Sequence, residues 1–160
     1  LGMEFDTIKR LLDSTEGIEL DLYTSNESVG LHAEYIRDGL NYGQWTRNME
    51  QIMRSKRLRG LHVMCTINAL CLESLPEFLT YLMLWKQDYG PDFPNFTLNI
   101  LRFPSFQSPL VLPNDIRIKH QNRLQAWLDR WGHNINLQPH ERNHVLRLID
   151  YLGIVKTPHS

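Results

Sequence analysis

A chain of 160 residues with 17 Lys and Arg against 18 Asp and Glu carries a formal net charge of -1. That length suits one domain with a substantial core, and the near-neutral balance gives no overall attraction for nucleic acid or an anionic membrane. No apolar run is long enough to span a bilayer, and LGMEFDTIKR (1–10) lacks the apolar stretch of a signal peptide, so a cytoplasmic protein is expected. The two cysteines, Cys65 and Cys71, agree with a reducing compartment. A disulfide between them would tie a strand to the loop just after it, and no metal-ligand cysteine cluster is present.

The first predicted element is a helix over 3–13, with Phe5, Ile8, Leu11 and Leu12 near one stripe. Gly17 ends it. A strand over 18–25 follows, with Ile18, Leu20 and Leu22 on one side and Glu19, Asp21, Tyr23 and Ser25 on the other. A polar loop then holds AEYIRDG, one or two helical turns stopped by Gly39. Asn41 can cap the next helix, where Trp45, Met49, Ile52 and Met53 have core spacing.

The second strand, 61–68, alternates Leu61, Val63, Cys65 and Ile67 with His62, Met64, Thr66 and Asn68. Ser74-Leu75-Pro76-Glu77 reads as a capping box opening a helix with Phe78, Leu79, Leu82 and Trp85 on its stripe. The third strand, 96–103, sets Phe96, Leu98 and Ile100 against Thr97, Asn99 and Leu101. Two βαβ units in series imply a parallel sheet. FPSFQSPLVLP (103–113) is too irregular for a strand. A helix over 114–131 offers Ile118, Leu124, Trp127, Leu128 and Trp131 for burial. A last helix opens near Pro139, buries Val145, Leu148, Ile149 and Leu152, and stops at Gly153.

The fold class is therefore α/β, a partial (β/α) barrel of parallel strands with helices outside, followed by C-terminal helices. Residues 1–113 form the half-barrel and 114–160 a helical extension. Three strands leave two edges open to pairing, so a piece of a larger barrel is favoured over an intact small domain with protected edges.

Such folds place chemistry at the carboxyl ends of the strands. Ser25, Asn26 and Glu27 stand at the first end and could hold a ligand amine or hydroxyl, or simply form a polar turn. Arg37 could clamp a carboxylate or phosphate bidentately, or pair locally with Glu34 at i, i+3. Asn68 could enter the lumen or cap the loop over 69–73. Arg102 and Ser105 are weaker candidates. His62, near the start of its strand, reads as structural, and His140 and His144, four apart, as a surface-helix pair. Arg54, Lys56, Arg57 and Arg59 complement a helix dipole better than they form a nucleic-acid patch. No Walker loop, Rossmann glycine fingerprint or Ser/His/Asp signature is present.

LDLYTSNESVG (20–30), AEYIRDGLNYGQW (33–45), LHVMCTIN (61–68) with LCLES after it, and LNILRFPSFQSPLVLP (98–113) together carry a resemblance. The chain resembles the C-terminal half of a radical S-adenosylmethionine (SAM) protein core, the twitch-domain group in particular. AEYIRDGL is the most distinctive piece. The resemblance implies the last strands of a six-stranded partial TIM barrel that binds a [4Fe-4S] cluster and SAM and generates a 5′-deoxyadenosyl radical. It further implies that Ser25, Asn26 and Glu27 face the SAM amino group, Arg37 its carboxylate and Asn68 the ribose, with Leu101, Arg102 and Pro104 near the adenine. Partners would be SAM, a substrate that is a peptide or protein, and an N-terminal half-barrel.

The departure lies in the cysteines. The family's cluster needs a Cys-x3-Cys-x2-Cys loop, and Cys65 and Cys71 have five residues between them. The expectation is a fragment inactive by itself. The alternatives are a non-catalytic α/β binding domain that docks a partner through 103–113, and a small hydrolase or transferase with Glu27 as general base.

Overall fold

The structure, a computed structural model, describes residues 5–37, 39–102 and 107–154. The elements run α1 (Phe5–Ser14), β1 (Leu20–Ser25), α2 (Gly30–Ile36), α3 (Tyr42–Ser55), β2 (Leu58–Ile67), α4 (Leu75–Tyr89), β3 (Asn95–Ile100), a 3-10 turn (Pro109–Val111), α5 (Asn114–Trp131) and α6 (Pro139–Leu152). The molecule is thus a mixed α/β fold whose sheet has three parallel strands in the order β1-β2-β3. No described helix is long and apolar enough to cross a membrane.

Alternation sorts the two faces of the sheet. On β2, Leu61, Val63, Cys65 and Ile67 are fully buried, while His62, Met64 and Thr66 are only half-buried. Leu22 lies beside Leu61, and Val63 beside Phe96, so the apolar face is continuous across the strands. Trp45, Met49, Ile52 and Met53 of α3 and Phe78, Leu79, Leu82 and Met83 of α4 share its core. Leu124, Trp127, Leu128 and Trp131 of α5 and Val145, Leu148, Ile149 and Leu152 of α6 join the same core. Burial of these side chains from water is the main drive to this arrangement.

Several sequence expectations are narrowed. In α1 the buried stripe is Ile8 and Leu12, whereas Leu11 is exposed. Ile18 precedes β1 and is exposed, as is Ile118 on α5. Arg117 and His120 are buried in α5 instead. Arg117 is satisfied there by the carbonyls of Leu112, Leu152 and Ile154 and the side chain of Asn114. Asn41 caps α3 as predicted, accepting from the Gln44 N–H at 3.0 Å. Ser74 does not cap α4 through its side chain. Its backbone is already αR (φ -103°, ψ -2°), not the extended shape that aims a cap hydroxyl at the helix N–H groups.

The edge of β3 is closed by side chains instead of a strand. Along α6, Glu141, His144 and Arg147 recur every three residues and so share one face. Glu141 Oε2 accepts from Phe96 N–H at 2.8 Å, His144 Nδ1 accepts from Leu98 N–H at 2.9 Å, and Arg147 donates to the Leu98 carbonyl at 2.8 Å. α6 thus supplies in alternation the acceptors and donor that a fourth strand would present. The first of these is anchored by an ion pair. Lys86 and Glu141, both 0% exposed, meet at 2.9 Å. Lys86 also donates to the Pro91 carbonyl at 2.6 Å, and Glu141 Oε1 accepts from Gln138 N–H at 2.8 Å. His140 and His144 are therefore not a plain surface pair, since one imidazole serves the sheet edge.

This seam is expected to weaken in acid. His144 must be neutral at Nδ1 to accept from Leu98 N–H. Burial, with Arg147 and His140 beside it, holds its pKa below the usual histidine value. The unfolded chain therefore binds the proton more readily, and stability falls as pH drops through the usual histidine value toward the depressed one. Thermal midpoints measured between pH 7.5 and 5 should fall less steeply for His144→Gln, whose amide oxygen can still accept. An unchanged slope would remove His144 from the account. His120, whose pKa burial also depresses, is the second contributor, separable by His120→Gln.

Candidate functional site

The carboxyl ends of the strands carry a buried polar cluster. Past β1 the ladder continues for one more bond, Asn26 N–H to the Met64 carbonyl at 3.2 Å. Asn26 Oδ1 then accepts from the N–H groups of Glu27 (2.8 Å) and Ser28 (3.3 Å). This Asx turn folds the chain back under its own loop, and Asn26, Glu27 and Ser28 end 0%, 2% and 0% exposed. Asn26 Nδ2 is buried there with no hydrogen-bond partner, a costly state for an amide donor.

Glu27 finds its partner ten residues on. Arg37 Nε donates to Glu27 Oε2 at 2.8 Å, with the arginine side chain 31% exposed and the carboxylate 2%. The local pair with Glu34 does not form in its place, because Glu34 Oε1 accepts from the Tyr42 N–H at 3.1 Å. Arg37 leaves the helix in an extended conformation as the C-cap of α2, which turns its side chain back toward the strand end. Burial pushes the Glu27 carboxyl up from its ordinary range, and the bond and charge of Arg37 pull it down.

A second group was missed by sequence reasoning. Ser74 Oγ lies 2.6 Å from Ser28 Oγ and 2.8 Å from His32 Nδ1. This chain of hydrogen bonds ties α2 to the start of α4 across the strand ends. Ser74 is more than 40 residues from both Ser28 and His32 in sequence, and the local pattern at Ser74 pointed to a cap, so no periodicity or spacing signals the cluster.

The other predicted positions are placed as follows. Ser25 sits beside Met64 at the last register of β1. Asn68 Oδ1 accepts from the N–H groups of Leu70 (2.8 Å) and Cys71 (3.0 Å), which is the loop-capping arrangement. Leu101 N–H donates to the Ile67 carbonyl at 2.8 Å. Arg102 is exposed and lies over the Tyr151 ring, 5.5 Å from its centroid. Pro104 and Ser105 lie outside the described residues. At the opposite end of the strands, His62 bonds Asn95 Oδ1 at 2.9 Å and stacks on Tyr23 at 4.4 Å. Arg59, also at that end, bonds Asp21 and holds its carboxyl below the usual range.

The cysteines face the helix-covered core. Cys65 and Cys71 are both fully buried and free. Burial pushes the Cys65 thiol well up and that of Cys71 to about 12. Such groups stay protonated, whereas iron–sulfur ligands are thiolates. Two buried thiols in an apolar core do not fit a [4Fe-4S] cluster. Among the described residues, no three His, Cys, Asp or Glu side chains are grouped to hold a metal ion. Family models, curated proteins and solved structures offer no match to this chain.

Proposed function

We propose that this chain is the SAM- and substrate-facing distal half of a radical SAM barrel, cytoplasmic and inactive without the part that carries the cluster. The observation that supports it best is the Glu27–Arg37 pair at the carboxyl end of an edge strand. An α-amino acid group is a zwitterion, and a fixed carboxylate beside a fixed guanidinium is its electrostatic complement. The bond uses Arg37 Nε, so the terminal amino groups of the fork can take a ligand carboxylate while Glu27 receives the ammonium. Asn26 Nδ2, buried and unpartnered, is a donor suited to an acceptor on the same ligand.

When bound to its cluster, SAM supplies a hydrogen-abstracting radical. The residues here bind and orient it; the thiolates for the cluster come from outside this chain. The edges agree with a barrel continued on one side. α6 covers the outer edge of β3 at Phe96 and Leu98, and β1 has no strand beyond it among the described residues. An N-terminal half-barrel would add its strand at β1.

The test is to read the coding sequence upstream of Leu1 in frame, then to titrate SAM into the encoded full chain after anaerobic cluster reconstitution. A Cys-x3-Cys-x2-Cys segment is expected, and Arg37→Ala should weaken SAM binding by about 10–100-fold, the worth of a charged hydrogen bond. A frame without that segment, or binding indifferent to Arg37, sinks the reading.

A further inference from the structure

On the helix side of the fold, α3 and α4 frame a groove of about 570 Å³. Its walls include Tyr42, Tyr81 and Trp85, and its lining carries the carboxylates of Glu50, Glu77 and Asp88 with no Lys, Arg or His among the described residues. Beneath the groove, the buried Trp45 links Tyr42 to Trp85. Tyr42 stacks on Trp45 at 6.1 Å, and Trp45 meets Trp85 at 6.0 Å. Tyr42 lies close enough to Tyr81 and Glu77 for both to add to the effect of burial on its phenol, so ring and carboxylate share one space. Arg54, one turn from Glu50, is near enough to offset part of that one charge.

This chemistry selects its occupant. Three carboxylates, of which only Glu50 is partly offset by Arg54, repel an anion. They are spread along the walls and form no metal-holding group among the described residues, so a compact divalent ion is poorly served. An organic cation is attracted by both the carboxylates and the ring faces, and its alkyl stem covers apolar surface such as Leu84. The volume exceeds one side chain and suits a short segment. We infer that the α3–α4 groove is a docking site for a lysine- or arginine-bearing peptide segment of another protein. The inference stands independently of SAM binding.

A blocked octapeptide of alternating lysine and alanine, and its twin with every lysine acetylated, are the probes for calorimetric titration at low salt. Saturable binding of the first is expected, at least 10-fold weaker for the acetylated twin and for the Glu77→Gln/Asp88→Asn double variant. Both replaced side chains are exposed, and circular dichroism of the variant should match the parent. Equal affinity for the two peptides, equal affinity of the variant, or no binding up to millimolar peptide would overturn the inference. Concentration-dependent self-association that the double variant abolishes would overturn it too, assigning the groove to a second copy of the chain.

Discussion

Glu141→Ala is expected to lower the free energy of unfolding by about 3–5 kcal/mol, the usual cost of stranding one partner of a buried ion pair. Lys86 would keep its charge at 0% exposure with the Pro91 carbonyl left as its acceptor. The same change strips the acceptor from the Phe96 N–H at the sheet edge. Burial already disfavours both charges, raising the Glu141 carboxyl and lowering the Lys86 ammonium. Urea denaturation followed by tryptophan fluorescence measures the loss. Lys86→Met combined with Glu141→Gln should recover most of it, because an apolar chain and a neutral acceptor avoid the stranded charge. A loss below about 1 kcal/mol for Glu141→Ala would mean that the seam between β3 and α6 contributes little.

The second expectation concerns the strand-end pair. Arg37→Ala should cost about 1–3 kcal/mol at neutral pH, discounted from the fully buried case because the arginine is 31% exposed. Its pH dependence identifies the mechanism. Burial already holds the Glu27 carboxyl above its ordinary value despite Arg37, and with Arg37 gone it rises further. A carboxyl whose folded pKa exceeds its unfolded value binds protons more tightly when folded, so stability declines as pH rises from the unfolded pKa through the folded one. The deficit of the variant relative to the parent should therefore be full near pH 7 and shrink on acidification through the variant's further-raised carboxyl value toward the parent's. Adding Glu27→Gln should flatten that dependence. A deficit constant from pH 4.5 to 7 would show that Arg37 acts through packing and not through the Glu27 charge.

The elements were legible where local periodicity decides them. Strand alternation in LHVMCTIN, the apolar stripe of α3 and the Asn41 cap depend on neighbours within a few residues, and each formed as read. The site was legible in part. Position at the end of β1 marked Ser25, Asn26 and Glu27, and AEYIRDG marked Arg37. The sequence offered a ligand anion or Glu34 as its partner; Glu27, ten residues away, is brought to Arg37 only by the fold. The Ser28–Ser74–His32 link was not legible, since Ser74 satisfied a cap pattern that its αR backbone prevents.

The sequence by itself determined a parallel α/β fold, because two helix-period stretches between strand-period stretches leave few alternatives. It also determined that Cys65 and Cys71, with five residues between them, do not make a Cys-x3-Cys-x2-Cys loop. Only the tertiary structure decided which charges are buried and what answers them. Glu141, Lys86 and Arg117 look like surface residues on amphipathic helices, yet each is buried because it completes backbone groups that the fold leaves unpaired. The Phe96 N–H needs such an acceptor only once β3 becomes an edge and α6 lies along it. No local pattern encodes the pairing of Glu141 with Lys86 and the Phe96 N–H, because its energy arises from the loss of water around segments distant in the chain.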